Sequence, residues 1–181
     1  MLPRTASLER THMIHIVLYE PEIPQNTGNI MRTCAAFGIH LHLIEPLGFY
    51  MDEKHLRRAG MDYRDRTQWT VHRSWQDFLD QADGELYFVT RYGERTPDSF
   101  DFTDTEKEIY LVFGRESTGI PKEILAAHYE ACMRIPMLPD TRSLNLSNCA
   151  ALVAYEVLRQ QGYPGLSRSE VLKGKDYLFR N

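Results

Sequence analysis

The stretch Pro136–Leu158, PMLPDTRSLNLSNCAALVAYEVL, joins two unlike halves. PDTRSLNLSN is made of turn and capping residues, and CAALVAYEVL is an apolar helix. The helix is predicted from about Ser147 to Gln161, with Gly162 and Pro164 ending it. Cys149, Leu152, Val153 and Val157 give it a core-facing stripe. A polar segment that runs straight into a core helix must find partners for its backbone groups if it is buried.

Outward from that stretch the chain alternates strand and helix. IHIVLY (14–19), IHLHLIEP (39–46), TQWTVH (67–72), ELYFVT (85–90), EIYLVFG (108–114) and EACMRIP (130–136) read as strands. Helices are predicted over 29–38, stopped by Gly38, over 52–63, over 74–82 with Ser74 as N-cap, and from Pro121 through PKEILAAHY. PEIPQNTGN (21–29) reads as a loop. This order predicts an α/β domain with a mostly parallel sheet flanked by helices. Such sheets bind ligands at the carboxyl ends of their strands. The loops QNTGN, TRYG, GRESTG and PMLPDTRSLNLSN all follow strands, so they gather at that end.

The 181 residues are 43% hydrophobic and 25% charged, which fits one globular domain and excludes a disordered chain. No apolar run approaches the ~20 residues that cross a bilayer, so no membrane partner is expected. Residues 1–12 have no apolar core and read as a leader or extension, not a secretory signal. A single domain is expected over 13–165, with 166–181 as a tail. Cys34, Cys132 and Cys149 are odd in number and far apart, which points to a reducing compartment, the cytoplasm. His40 and His42 share one strand face, but no Cys/His pair has zinc-ligand spacing, so no metal is expected. The net charge of −4 speaks against non-specific coating of nucleic acid. Local basic clusters do occur, in KHLRRAG (54–60) and at Arg168, Lys173, Lys175 and Arg180.

Two common phosphate-binding fingerprints are absent. No GxGxxG follows a strand, and GRESTGIP lacks the lysine of a P-loop. The loops offer hydroxyls, amides and backbone donors, which suit an uncharged or zwitterionic adenosine ligand. Three blocks narrow the choice: PQNTGNIMRTCAAFG (24–38), LVFGRESTGIP (111–121) and IPMLPDTRSLNLSNCAALVAYE (135–156). In order and spacing they match the NxxGNxxR, FGxExxG and proline-loop-to-SLNLSN motifs of the SPOUT class of RNA methyltransferases, which the chain resembles over residues 13–165. IVLYEPEIPQNTGN, HLIEPLGFYMDEKHLRRAGMDY and YPG bring it nearest to the small members that methylate leucine tRNAs. Those act on the ribose 2′-hydroxyl of the wobble nucleotide, a cytidine or carboxymethylaminomethyluridine.

The resemblance implies a C-terminal deep trefoil knot, in which the polar stretch threads a loop of the chain and wraps S-adenosylmethionine. It implies cofactor contacts at Val89, Thr90, Gly114, Glu116, Ile135, Ser143 and Leu144. Arg32, Ser143 and Asn145 are the expected catalytic residues, Arg32 acting on the substrate phosphate and ribose and Ser143 and Asn145 lining the site, with Asn26 and Asn29 shaping it. Arg32, Arg57, Arg58 and the basic tail are expected to hold RNA, and Tyr155 to sit in a homodimer interface. Each also has a plain structural reading: solvated helix residue for Arg32, sheet core for Val89 and Ile135, turn former for Gly114, core packing for Tyr155. The methyl donor is already activated, so the reaction needs no metal. Three other readings stay open: a 2′-O-methyltransferase for another tRNA or ribosomal RNA site, a non-catalytic cofactor-binding RNA chaperone, and an unrelated nucleotide-binding protein.

Overall fold

The computed structural model describes residues 13–50, 67–174, and 177–180. The helix expected over 52–63, with Arg57 and Arg58, lies outside the described residues, as do the leader 1–12 and Lys175. The strands are β1 (Ile14–Tyr19), β2 (His40–Ile44), β3 (Trp69–His72), β4 (Glu85–Val89), β5 (Ile109–Phe113) and β6 (Cys132–Met133). The helices are α1 (Pro24–Phe37), α2 (Trp75–Leu79), α3 (Lys122–Ala127) and α4 (Leu146–Gln160). Among the described residues the strands form one sheet in the order β3-β2-β1-β5-β4-β6. Every pairing in it is parallel.

A parallel sheet covered on both faces needs strands that are apolar throughout. β5, IYLVF, is buried at all five positions and lies between β1 and β4. Side chains alternate across the sheet. Ile14, Ile16 and Leu18 face α1 and α4, and meet Met31, Val153 and Val157 there. Val17, Tyr110 and Val112 face the other way and meet Phe78 of α2 and Leu125 of α3. The three cysteines are free thiols. Among the described residues no helix is long and apolar enough to cross a membrane.

Three expectations need correction. The first helix starts at Pro24, not at 29, so QNTGN is helix and not loop. Its first turns would be weak alone, since Asn, Thr and Gly are poor helix formers. Pro24 at the first helical position suits them, and a distant carboxylate, described below, caps them. The last strand is only Cys132–Met133, because the next backbone N–H, of Arg134, donates to Arg95 O and not to β4. Leu152 is 52% exposed and does not face the core. The core stripe of α4 is Ala150, Val153, Ala154, Val157 and Leu158.

The order reverses at β1: β2 and β3 extend to one side, while β5, β4 and β6 lie on the other. That is the place where an open parallel sheet leaves a crevice at its carboxyl edge. Register aligns Val89 of β4 with Phe113 of β5 and with Met133 of β6. The residues just past this row, Thr90, Gly114 and Arg134, therefore emerge together at one rim.

Candidate functional site

A cavity of about 650 Å³ opens at that rim. Its volume lies within the range of small-molecule sites, roughly 300–1,000 Å³. The wall comes from four segments: Val89–Tyr92 after β4, Phe113–Ile120 after β5, Arg134, Ile135 and Met137 after β6, and Arg142–Leu146 leading into α4. All seven residues expected to touch the cofactor line it: Val89, Thr90, Gly114, Glu116, Ile135, Ser143 and Leu144. Asn26 and Asn145 line it as well.

One hydrogen-bond chain ties the three sequence motifs together. Asn145 Nδ2 donates to Asn26 Oδ1 at 2.8 Å. Asn26 Nδ2 donates in turn to Glu116 Oε1 at 3.0 Å. The Glu116 carboxylate also accepts the backbone N–H groups of Glu22 at 2.8 Å and Ile23 at 3.2 Å. A carboxylate at a helix start satisfies orphan donors and suits the helix dipole. Glu22 reciprocates, accepting from Ser117 N and Ser117 Oγ, both at 2.8 Å. At the other end, Asn145 Oδ1 caps α4 by accepting from Ser147 N at 2.9 Å and Ser147 Oγ at 2.6 Å. The polar side-chain atoms of Glu116 and Asn145 are thus engaged within the protein.

A Glu116→Gln substitution keeps the shape but turns one acceptor oxygen into a donor facing backbone N–H groups. Charge-assisted bonds of this kind contribute about 1.5–3 kcal/mol. The variant is expected to lose roughly 3–12 °C in thermal midpoint, read by circular dichroism.

Backbone approach is closest at Gly114. A Cβ there would stand 2.2 Å from Gly119 C and 2.3 Å from Ile120 N. The loop between closes by Gly119 N donating to Arg115 O at 2.9 Å, with Gly119 at φ +74°. Glycine at both positions lets the chain double back and bring backbone groups to the cavity wall.

The other expected residues are placed differently. Arg32 is exposed on α1 and is not among the cavity-lining residues. It stands six residues beyond Asn26, ~9 Å along the helix axis. Asn29 is exposed one turn before it. Tyr155 lies on α4 away from the cavity, 50% exposed, and accepts a 2.9 Å hydrogen bond from Tyr163 Oη. In the tail, Arg168 folds back over the Tyr163 ring and bonds Gly162 O at 2.7 Å.

Sequence reasoning assigned no role to the arginines of the cavity. Arg91, Arg115, Arg134 and Arg142 all line it. Arg115 is ion-paired with Glu20, and Arg134 donates to Arg91 O at 3.1 Å. A basic residue directly after a predicted strand could have pointed to Arg91 and Arg115, whereas Arg134 falls inside the predicted strand 130–136 and Arg142 in the polar loop after it. Glu116 is the one carboxylate among the lining residues, and no histidine is among them. Burial pushes the Cys149 thiol up, so it lines the wall as a neutral group.

These residues fit S-adenosylmethionine. Val89, Ile135 and Leu144 are apolar wall, Thr90 and Ser143 bring hydroxyls, the backbone at Gly114 allows close approach, and arginines match a carboxylate. When bound, the cofactor supplies an activated methyl group.

The comparisons with known proteins agree with this geometry. The SpoU rRNA Methylase family matches residues 13–155. The tRNA (cytidine(34)-2′-O)-methyltransferase of Escherichia coli K12 is 49% identical over 155 residues, 84% of this chain and 97% of that protein. A Bacillus anthracis protein of solved structure is 51% identical with a TM-score of 0.82, covering 87% of this chain and 99% of that one. Another structure, described as giving insight into 2′-OH methylation of C/U34 on tRNA, is 42% identical with a TM-score of 0.75, covering 84% and 98%. An AdoMet-bound rRNA methyltransferase from Sinorhizobium meliloti, 24% identical, shares the fold at a TM-score of 0.71. The chain covers 57% of that longer protein. By the extent of these matches and the motif chain that closes its cavity, this chain belongs to the SpoU methylase family and is an S-adenosylmethionine-dependent methyltransferase.

Proposed function

We propose that the chain transfers a methyl group from S-adenosylmethionine to the ribose 2′-hydroxyl of the wobble nucleotide, a cytidine or carboxymethylaminomethyluridine, in leucine tRNAs. The observation that carries this reading is the Asn145–Asn26–Glu116 chain, which joins the three motif segments around one cavity. The relatives whose names specify position 34 of tRNA span nearly their whole length on this chain, which supports the nucleotide.

The residues divide the work. Val89, Thr90, Gly114, Ile135, Ser143 and Leu144 hold the cofactor. Asn145 and Glu116 fix the loops on which it rests. Arg32 acts from the exposed face of α1 on the incoming nucleotide, orienting the ribose hydroxyl and neutralising its phosphate. Arg91, Arg134 and Arg142 add positive charge at the cavity, and Arg57, Arg58 and the tail bind phosphates further along the RNA. The transfer itself uses no metal. Residues 13–165 act as one domain in the cytoplasm, where tRNA is found.

The segment from Arg134 to Asn145 returns from β6 over the sheet end to α4, threading the chain into a trefoil knot. α4 then offers Leu152 and Tyr155, both about half exposed, to a second copy of the chain. Tyr155→Ala is expected to weaken the homodimer about tenfold or more while leaving the subunit folded, measured by analytical ultracentrifugation. An unchanged dimer constant removes Tyr155 from the interface.

Substrate choice is tested with purified tRNA isoacceptors and labelled S-adenosylmethionine. Leucine isoacceptors should label and others should not. Equal labelling of all isoacceptors overturns the leucine assignment.

A further inference from the structure

On the face of the sheet covered by α2 and α3, four histidines meet. Register sets His15 of β1 beside His40 of β2, and His42 follows two residues on. One ring nitrogen of each of His15, His40 and His42 lies within 4.8 Å of the others. His42 Nε2 is 3.0 Å from His15 Nδ1, and His42 Nδ1 is 2.9 Å from His72 Nε2. From the geometry we infer that His15, His40 and His42 form a structural site for one divalent transition-metal ion of the zinc type, outside the methyl-transfer cavity.

Three imidazoles with room for a water form a common zinc-type donor set. Metal-binding histidines are usually oriented through their second nitrogen. Such partners are present here. The Glu108 carboxylate is 3.2 Å from His15 Nε2. Tyr110 donates to the same carboxylate at 2.9 Å and stacks on the His15 ring at 4.3 Å. His72 holds His42, and Thr70 Oγ1 lies 2.9 Å from His40 Nε2.

The protons balance with a metal ion bound. Glu108 can only accept, so His15 Nε2 carries the hydrogen and its Nδ1 carries the lone pair. Without metal, His42 must then donate through Nε2 to His15, and His72 through Nε2 to His42. A metal ion between His15 Nδ1 and His42 Nε2 reverses both tautomers. His42 Nδ1 then donates to His72 Nε2, and the His72 hydrogen moves to Nδ1. Every ring stays neutral, so no proton is lost.

His15 and His40 stand near the amino ends of β1 and β2, His42 two residues further on, and none of the three is among the cavity-lining residues. Metal binding can therefore be read apart from catalysis. Tag-free protein is stripped with EDTA, dialysed into chelator-free buffer, and titrated with Zn²⁺ by calorimetry and with Co²⁺ by visible absorption. We expect one ion per chain, a raised thermal midpoint, and the intense visible bands of tetrahedral Co²⁺. His15→Gln and His40→Gln should each weaken binding at least tenfold, and Glu108→Gln about 10–100-fold, as for other outer partners. His128→Gln, outside the cluster, should bind as the parent does. S-adenosylhomocysteine binding reports that each variant is folded. No binding to the parent protein, or binding unchanged in both His15→Gln and His40→Gln, overturns the assignment.

Discussion

Arg32→Ala should reduce methyl transfer by ~100-fold or more while leaving the affinity for S-adenosylhomocysteine nearly unchanged. The separation follows from where the side chain stands. Arg32 is exposed on α1, two turns beyond Asn26, and is not part of the cavity wall. On the proposed reading its loss removes a charge that meets the nucleotide, while the cavity-lining residues are unchanged. Single-turnover rates with tRNA, beside calorimetric binding of S-adenosylhomocysteine, measure the two effects apart. Arg32→Lys should recover only part of the rate, since an ammonium lacks the planar fork. A parallel fall in rate and cofactor affinity would mean that Arg32 supports the cavity and does not act on substrate.

Gly114→Ala should have the opposite signature. The added methyl would meet backbone atoms of Gly119 and Ile120 at 2.2–2.3 Å, and backbone cannot swing aside as a side chain can. The loop must move, at a cost of about 1–3 kcal/mol. Cofactor affinity is expected to fall about 10–100-fold, with the rate at saturating cofactor less affected. Gly119→Ala is the control in the same loop. Its Cβ points into open space, so its cost is strain from a positive φ of +74°. Calorimetry should rank Gly114→Ala well below Gly119→Ala in cofactor affinity. The reverse ranking would show that loop strain, not close approach, governs the site.

The sheet was legible because its strands announce themselves. IHIVLY and EIYLVFG are short apolar runs, and the structure buries β5 completely between two neighbours. The cavity residues were legible through the motifs: all seven expected cofactor contacts line one space. The start of α1 was not legible, because its cap comes from Glu116, 90 residues away from Asn26. Local pattern shows only two prolines, a glycine and turn-forming amides, which read as loop. Leu152 was misplaced on the core stripe for a related reason. Periodicity marks an apolar helix side, and α4 carries apolar side chains on more than one side. His40 and His42 looked isolated because their neighbour, His15, arrives through strand register across 27 residues. Arg91, Arg134 and Arg142 went unassigned because a single arginine at a strand end or in a loop is too weak a sign by itself.

The most direct test of the account is where the methyl group goes. Purified protein is incubated with labelled S-adenosylmethionine and total bacterial tRNA, and the labelled nucleotide is mapped by nuclease digestion and mass spectrometry. The account predicts label on the ribose of the wobble nucleotide of leucine tRNAs. Label on a base, or on the ribose of another nucleotide, contradicts it.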